Sequence, residues 1–118
     1  MSSASFKVTE VVTTLRGKTF LLKIMKRIQA LLFTWHAIDT LNEYGLTPED
    51  VVRVLVAPDE IVRGHGERYV AHKKLSEEYL LRVVYEYAEG IRTIVTVYIS
   101  SMDRYFRGGG IFEDKVLS

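Results

Sequence analysis

The sequence predicts an α+β domain in which N-terminal helices pack on one face of an antiparallel β-sheet. In the first half of the chain, two segments carry the start and stop signals of amphipathic helices. From Ile61 onward the spacing of apolar residues becomes that of strands, and Val, Ile, Tyr and Thr are frequent. The gaps between these strand-like segments are long enough only for hairpin turns, which indicates antiparallel neighbours.

The composition excludes several classes of protein. Hydrophobic residues make up 47% and charged residues 26% of the 118 positions, too apolar for a disordered chain and too charged for a membrane protein. Because the chain has no cysteine, disulfides, thiolate metal sites, iron–sulfur clusters and a cysteine nucleophile are excluded. The most apolar stretch is interrupted by Lys23, Lys26 and Arg27, and the N-terminus lacks the pattern of a secretory leader. We therefore expect one soluble cytoplasmic domain without a membrane partner.

The net charge of +1 conceals an uneven distribution of charge along the chain. Residues 1–33 carry six basic side chains and one acidic one, whereas residues 34–60 carry one basic side chain and six acidic ones. One interpretation is a basic surface for an anionic partner such as nucleic acid. The other is a pair of solvated helix faces that partly neutralise each other in the fold.

The first third of the chain is the hardest to interpret. Residues 1–18 show no sustained period and are predicted to form an irregular or weakly strand-like arm. The next segment, 18–33, is predicted to form a basic amphipathic helix. Its apolar residues recur three and four positions apart, opposite three basic residues: Leu21, Ile24, Ile28 and Leu31 against Lys23, Lys26 and Arg27. One alternative is that residues 28–34 form a short strand. A separate alternative is that Met25 is the true first residue of the protein.

Two helices are marked by their caps. Thr34 can cap a helix that ends at Gly45, a residue suited to the left-handed conformation after a helix. Thr47 can cap the next helix, with Pro48 at its first position and Pro58 as its stop signal. The buried sides of the two helices are predicted to be Trp35, Ile38 and Leu41, and Val51, Val52, Leu55 and Val56.

Four strands are predicted after the helices, over residues 61–62, 68–75, 80–87 and 91–99. They should form an antiparallel meander, and the glycine-rich tail is expected to pack loosely. Alternation along the strands sorts apolar residues to one face, against which the helices pack. The other face is predicted to carry Arg68, His72, Lys74, Arg82, Arg92 and Tyr98. A shift of one residue in the first hairpin would instead bury His72 and expose Lys73.

Five segments within residues 33–106 carry a resemblance to a known family: FTWHAIDTLNEYGLTPEDVVRVLVAPDEIV, RYVAHKKL, LLRVVYEY, TIVTVY and RYF. In these segments the chain resembles the RelE and BrnT family of small toxins. Its recurring parts are His36 at the start of the first helix, the GLTPEDV helix start, Pro58, the strand arginine Arg82, and Arg104 with Tyr105. This resemblance implies two helices on a curved antiparallel sheet, the RelE-like fold, and a ribonuclease that needs no metal and no other cofactor.

The resemblance also implies roles for individual residues. RelE-type toxins make the 2′-hydroxyl of RNA attack the neighbouring phosphate, which requires a proton acceptor, a cation and a proton donor. Arg82 matches the strand arginine that would stabilise the phosphorane, while His36 and His72 are the candidate proton carriers. Tyr105 would stack on a base or donate a proton. The candidate nucleic-acid contacts are Arg68, Lys74, Arg92, Arg104, Arg107, Lys23, Lys26 and Arg27.

The sequence therefore predicts three segments: an N-terminal arm with a basic helix (1–32), a RelE-like domain (33–106) and a glycine-rich tail (107–118). The expected function is that of an endoribonuclease or toxin component. Its expected partners are RNA, which could be bound to the ribosome, an antitoxin protein and a second copy of the chain. The alternative is the same domain without catalysis, as a nucleic-acid-binding or protein-interaction module. No metal site is expected, because the three histidines lack the spacing of metal ligands.

Overall fold

The computed structural model describes residues 6–106, 108 and 110–113, in which eight strands form one mixed sheet and three helices connect them. In chain order the elements are β1 (Phe6–Thr13), β2 (Gly17–Ile24), β3 (Arg27–Thr34), α1 (Trp35–Tyr44), α2 (Pro48–Val56), β4 (Glu60–Arg63), β5 (Arg68–Lys74), β6 (Tyr79–Ala88), β7 (Ile91–Ser101), α3 (Met102–Tyr105) and β8 (Gly110–Glu113).

The strand order across the sheet is β1-β2-β3-β7-β6-β5-β4-β8. The β3/β7 and β4/β8 pairs are parallel, and the other neighbours are antiparallel. The predicted fold class is therefore wrong. The helices α1 and α2 are not N-terminal but inserted between β3 and β4, and the sheet is mixed rather than a curved antiparallel one.

The helix predicted over 18–33 is also wrong, since β2 and β3 form a hairpin there. The alternative of a strand over 28–34 is confirmed by β3. The apolar pattern of this segment also fits a period of two, which buries Phe20 and Leu22 on one face of β2. A turn at Met25, whose φ is 58°, divides the two strands.

Gly17 explains how β2 begins so close to β3. Its φ is 153°, a conformation that side chains rarely adopt, and a Cβ at this position would lie 1.8 Å from the Phe33 carbonyl oxygen. Only glycine therefore allows the backbone of β2 to pass Phe33 at this distance.

The two capped helices are confirmed, but Trp35, predicted on the buried side of the first helix, is exposed. The hydroxyl of Thr34 accepts a hydrogen bond from the Ala37 amide at 3.1 Å, and Gly45 ends α1 in the left-handed conformation. Thr47 and Asp50 form a complete capping box at the start of α2. Among the described residues, no helix is long and apolar enough to cross a membrane.

The predicted meander is confirmed as well, because β4, β5, β6 and β7 pair antiparallel in that order. Its side chains alternate between two faces of the sheet. One face, which we call the helix face, packs against α1 and α2 through a core that includes Ala37, Val51, Val83 and Val97. The opposite face, which we call the crossover face, buries Val62, Val70, Leu80 and Val84.

The chain after β7 crosses this second face. The Met102 amide donates to the Glu78 carbonyl at 2.9 Å, which ties the start of α3 to the β5–β6 turn. Farther along, β8 pairs with β4 at the other edge of the sheet. The tail predicted to pack loosely is thus a strand over Gly110–Glu113, while residues 107, 109 and 114–118 lie outside the described residues.

Candidate functional site

A row of four polar side chains lies across four neighbouring strands on the crossover face. Backbone pairing places Glu60 of β4 opposite His72 of β5, His72 opposite Arg82 of β6, and Arg82 opposite Tyr98 of β7. Residues paired in this way project from the same face of a sheet. We call these four residues the polar row.

The first two members form a buried hydrogen-bonded pair. His72 Nδ1 lies 2.6 Å from Glu60 Oε2, and each residue is 1% exposed. An ionised carboxylate can only accept hydrogen bonds, so Nδ1 donates and Nε2 becomes the nitrogen that can take up a proton. The carboxylate thus fixes both the tautomer and the orientation of the imidazole, as an orienting acid does for a general base.

Arg82 lies next to this pair and is covered by aromatic rings. Its guanidinium carbon is 3.5 Å from the centre of the Tyr105 ring and 5.1 Å from that of Tyr98. The residue is only 3% exposed. Tyr105 belongs to α3, so the crossover brings an aromatic side chain from the end of the chain onto the strand arginine. A buried cation of this kind is well placed to stabilise negative charge.

Tyr98 completes the row as a phenol that keeps its proton. Burial raises the pKa of Tyr98, and its hydrogen bond with Tyr105 acts in the same direction, while the charge of Arg82 opposes them. Tyr98 is therefore a hydrogen-bond donor at neutral pH. The row thus combines an oriented imidazole, a guanidinium and a phenol.

Charged side chains border the row on the same face. Arg68 pairs with Glu86 at 3.0 Å, and the Lys74 ammonium lies 4.7 Å from the centre of the Phe106 ring. Arg104 is exposed on α3, with its guanidinium 6.0 Å from the Tyr105 ring centre. Arg68, Lys74 and Arg104 are thus three of the predicted nucleic-acid contacts that the fold brings near the polar row.

Other predicted site residues lie elsewhere. His36 is exposed on α1, which packs on the helix face. Lys23, Lys26 and Arg27 are exposed on the β2–β3 hairpin. Arg107 lies outside the described residues.

Arg92 requires a correction, because it is not on the face that carries Arg82. The pairing of β6 with β7 shifts between Val84 and Tyr85, so Tyr85 pairs with Ile94 and Tyr87 pairs with Arg92. This bulge puts Arg92 on the helix face, whereas strict alternation had placed it with Tyr98. Its guanidinium lies near the rings of Tyr85 and Tyr87 instead.

Glu60 is the member of the row that sequence reasoning missed. In the sequence it is one of six acidic side chains in 34–60. No signal in the sequence marks it, because a four-residue turn over 64–67 would pair Arg63 with Arg68 and Glu60 with Ala71, whereas the structure pairs Arg63 with Tyr69 and Glu60 with His72. Tyr98 lies on the face that alternation predicts for it, although its residue type alone predicts no catalytic role.

The described residues contain no group of three or more His, Cys, Asp or Glu side chains that could hold a metal ion. The three histidines lie on α1, in the β4–β5 turn and on β5. The side chains of the polar row can supply acid–base and electrostatic chemistry.

Comparison with known protein families gives a match over more than half of the chain. A family model described as a domain of unknown function, DUF4258, matches residues 33–99. No curated protein and no solved structure matches the chain. The matched region runs from the end of β3 to near the end of β7 and contains the whole polar row. Because the match covers more than half of the 118 residues, the chain belongs to the DUF4258 family.

Proposed function

We propose that this protein is a metal-independent endoribonuclease that cleaves RNA by attack of a 2′-hydroxyl on the neighbouring phosphate. The observation that carries the proposal is the polar row, which holds a proton acceptor, a cation and a proton donor in backbone register. These are the three groups that the reaction needs. The resemblance of residues 33–106 to RelE and BrnT toxins supports the same chemistry from the sequence.

The roles follow from the chemistry of each side chain. Nε2 of His72 takes the proton from the 2′-hydroxyl, whose oxygen forms a bond to phosphorus. Arg82 stabilises the added negative charge on the phosphoryl oxygens. Tyr98 gives a proton to the departing 5′-oxygen as its bond to phosphorus breaks. The products are a 2′,3′-cyclic phosphate and a 5′-hydroxyl.

Binding of RNA in this way requires movement of α3. Tyr105 and Phe106 cover Arg82 and Lys74, so a phosphate reaches the row only after they are displaced. Phosphate and base contacts from Lys74 and Arg104, with stacking on Tyr105, would replace the contacts that α3 loses. In a toxin–antitoxin pair, the antitoxin would cover this crossover face, and the RNA would be cleaved on the ribosome.

The burial of the row favours a second candidate function. Glu60, His72 and Arg82 are all at most 3% exposed, which also fits a structural role in a module that binds nucleic acid or protein without catalysis. In that case Lys74 and Arg104 would bind the partner and the polar row would only hold the sheet and α3 together. Substitution of Lys74 and Arg104 by Gln would then weaken binding, and no cleavage would accompany it.

The two candidates are separated by a cleavage assay on an RNA oligonucleotide in EDTA. We expect cleavage by the wild-type protein and no cleavage of the same oligonucleotide made with 2′-deoxyribose. His72→Gln should lower the rate by about 10²–10⁴-fold, the usual contribution of a general base. His36→Gln is the matched control and should leave the rate unchanged, because His36 lies on the helix face. Binding of RNA without cleavage would contradict the enzymatic proposal.

A further inference from the structure

A cavity lies on the helix face, away from the polar row, and has the features of a small-molecule site. It has a volume of about 240 Å³ and lies between α2 and the strands β2, β3 and β7. Its apolar lining includes Leu22 and Ile24 of β2 and Val52, Leu55 and Val56 of α2. Such concave, mostly apolar cavities with a few polar groups are typical of ligand sites.

Two polar side chains, Gln29 and Arg92, also line this cavity. Arg92 as a residue is half-buried, and its guanidinium lies 5.3 Å and 5.5 Å from the ring centres of Tyr85 and Tyr87. Its Nε and Nη2 both donate to the hydroxyl of Tyr87, at 3.1 Å and 2.8 Å. The aromatic rings and this hydroxyl hold the guanidinium in place.

The partner of Arg92 is a neutral phenol rather than a carboxylate. Within residues 6–106, the carboxylates that form ion pairs lie beside other cations, and none is within 4.0 Å of Arg92. A positive charge at the border of an apolar cavity is favourable when an anion neutralises it. A ligand can therefore supply the negative charge that would neutralise Arg92.

We propose that this cavity binds an amphipathic carboxylate, with its aliphatic chain against α2 and its carboxylate on Arg92. Because Nε and one Nη2 hydrogen are donated to Tyr87, the Nη1–Nη2 edge of the guanidinium is the one that can make two parallel hydrogen bonds to a carboxylate, and the Gln29 amide offers a further donor. The size is also consistent, because a cavity of roughly 150 Å³ holds the six carbons of benzene and one of this volume holds roughly ten heavy atoms. An eight-carbon fatty acid has that size. This site is independent of the ribonuclease proposal.

The probe is sodium octanoate, titrated into the full chain and followed by NMR and calorimetry. We expect saturable binding of one octanoate, with a dissociation constant of roughly 0.1–1 mM for a ligand of this size. Amide shifts should concentrate in α2, in β3 and around Arg92. Octan-1-ol has the chain without the charge and should bind at least about tenfold more weakly, since a charge-assisted hydrogen bond contributes that much or more. Acetate, which has the charge without the chain, should not bind.

Two variants and one control test the assignment of residues. Arg92→Gln should weaken octanoate binding by about tenfold or more, and Val56→Phe should block the cavity. Lys26→Gln removes the same charge from the neighbouring β2–β3 hairpin and should leave the affinity within about twofold. Thermal unfolding of each variant shows whether it is folded. Equal affinity of the wild type and folded Arg92→Gln for octanoate would overturn the proposal, as would an equal loss in Lys26→Gln.

Discussion

The Glu60–His72 pair is the residue-scale feature on which the candidate site depends. Both side chains are buried, so removal of one partner leaves the other in an environment that poorly solvates charge. We expect His72→Leu to lower the free energy of unfolding by about 3–5 kcal/mol, the usual effect of breaking a buried pair. The double variant Glu60→Leu/His72→Leu should lose less than the sum of the two single variants, because neither buried polar side chain is then left without its partner.

Urea denaturation measures these free energies. The control is Glu86→Gln, which breaks the partly exposed pair with Arg68 and should change stability by at most about 1 kcal/mol. Additive effects of the two Leu substitutions would show that Glu60 and His72 do not act as a pair.

Tyr98 gives a prediction about pH. Burial raises the pKa of Tyr98, and it raises that of Tyr85 as well. Since the folded state holds these protons more tightly than the unfolded state, their contribution to stability is complete below about pH 10, the ordinary pKa of tyrosine. It is lost as the pH rises through the higher folded-state values.

The measurement is thermal unfolding between neutral pH and pH values above that of free tyrosine. Tyr98→Phe should reduce the loss of stability at high pH, whereas Tyr79→Phe, which changes a half-exposed tyrosine, should leave the profile unchanged. A profile that Tyr98→Phe does not alter would contradict the placement of Tyr98 in a buried site.

Part of the site could be predicted from individual residues. Alternation along β5 and β6 is regular, so His72 and Arg82 were placed on the correct face. Arg92 was not, because a bulge in β7 displaces the pattern by one position and no residue type in that strand marks it. Glu60 was missed because its role depends on the register of the short β4–β5 hairpin.

At the scale of elements, local signals predicted structure where they were strong. The caps at Thr34 and Thr47 belong to the helices they begin, so α1 and α2 could be identified without tertiary information. The segment 18–33 carries a pattern that fits either period. Its structure is decided by pairing with β1 on one side and with β7, far along the chain, on the other.

A shortened chain tests the contribution of β1 and β2. A protein that begins at Met25 lacks Phe20 and Leu22, which are buried in the main core, and leaves β3 as an exposed edge. Because large-to-small changes at single core positions already cost about 2–5 kcal/mol, loss of both should unfold or aggregate the domain. Circular dichroism and size-exclusion chromatography measure this. A folded, monomeric protein starting at Met25 would contradict the role given to β1 and β2.

At the scale of the whole molecule, the two candidate sites lie on opposite faces of one sheet. The polar row lies under α3 on the crossover face, and the cavity beside Arg92 lies under α2 on the helix face. The mixed sheet that creates this division could not be predicted, because both parallel pairs join strands distant in sequence. Substitution of Arg92 should therefore leave the chemistry of the polar row unchanged.

The central claim is that the polar row cleaves RNA through the 2′-hydroxyl, and analysis of the product ends tests it most directly. Mass spectrometry of an RNA oligonucleotide treated in EDTA should show a 2′,3′-cyclic phosphate on one fragment and a 5′-hydroxyl on the other. Formation of these ends should fall by about 10²–10³-fold in Arg82→Gln, the usual effect of removing a group that stabilises developing charge. Intact RNA, or fragments with 3′-hydroxyl and 5′-phosphate ends, would contradict the claim.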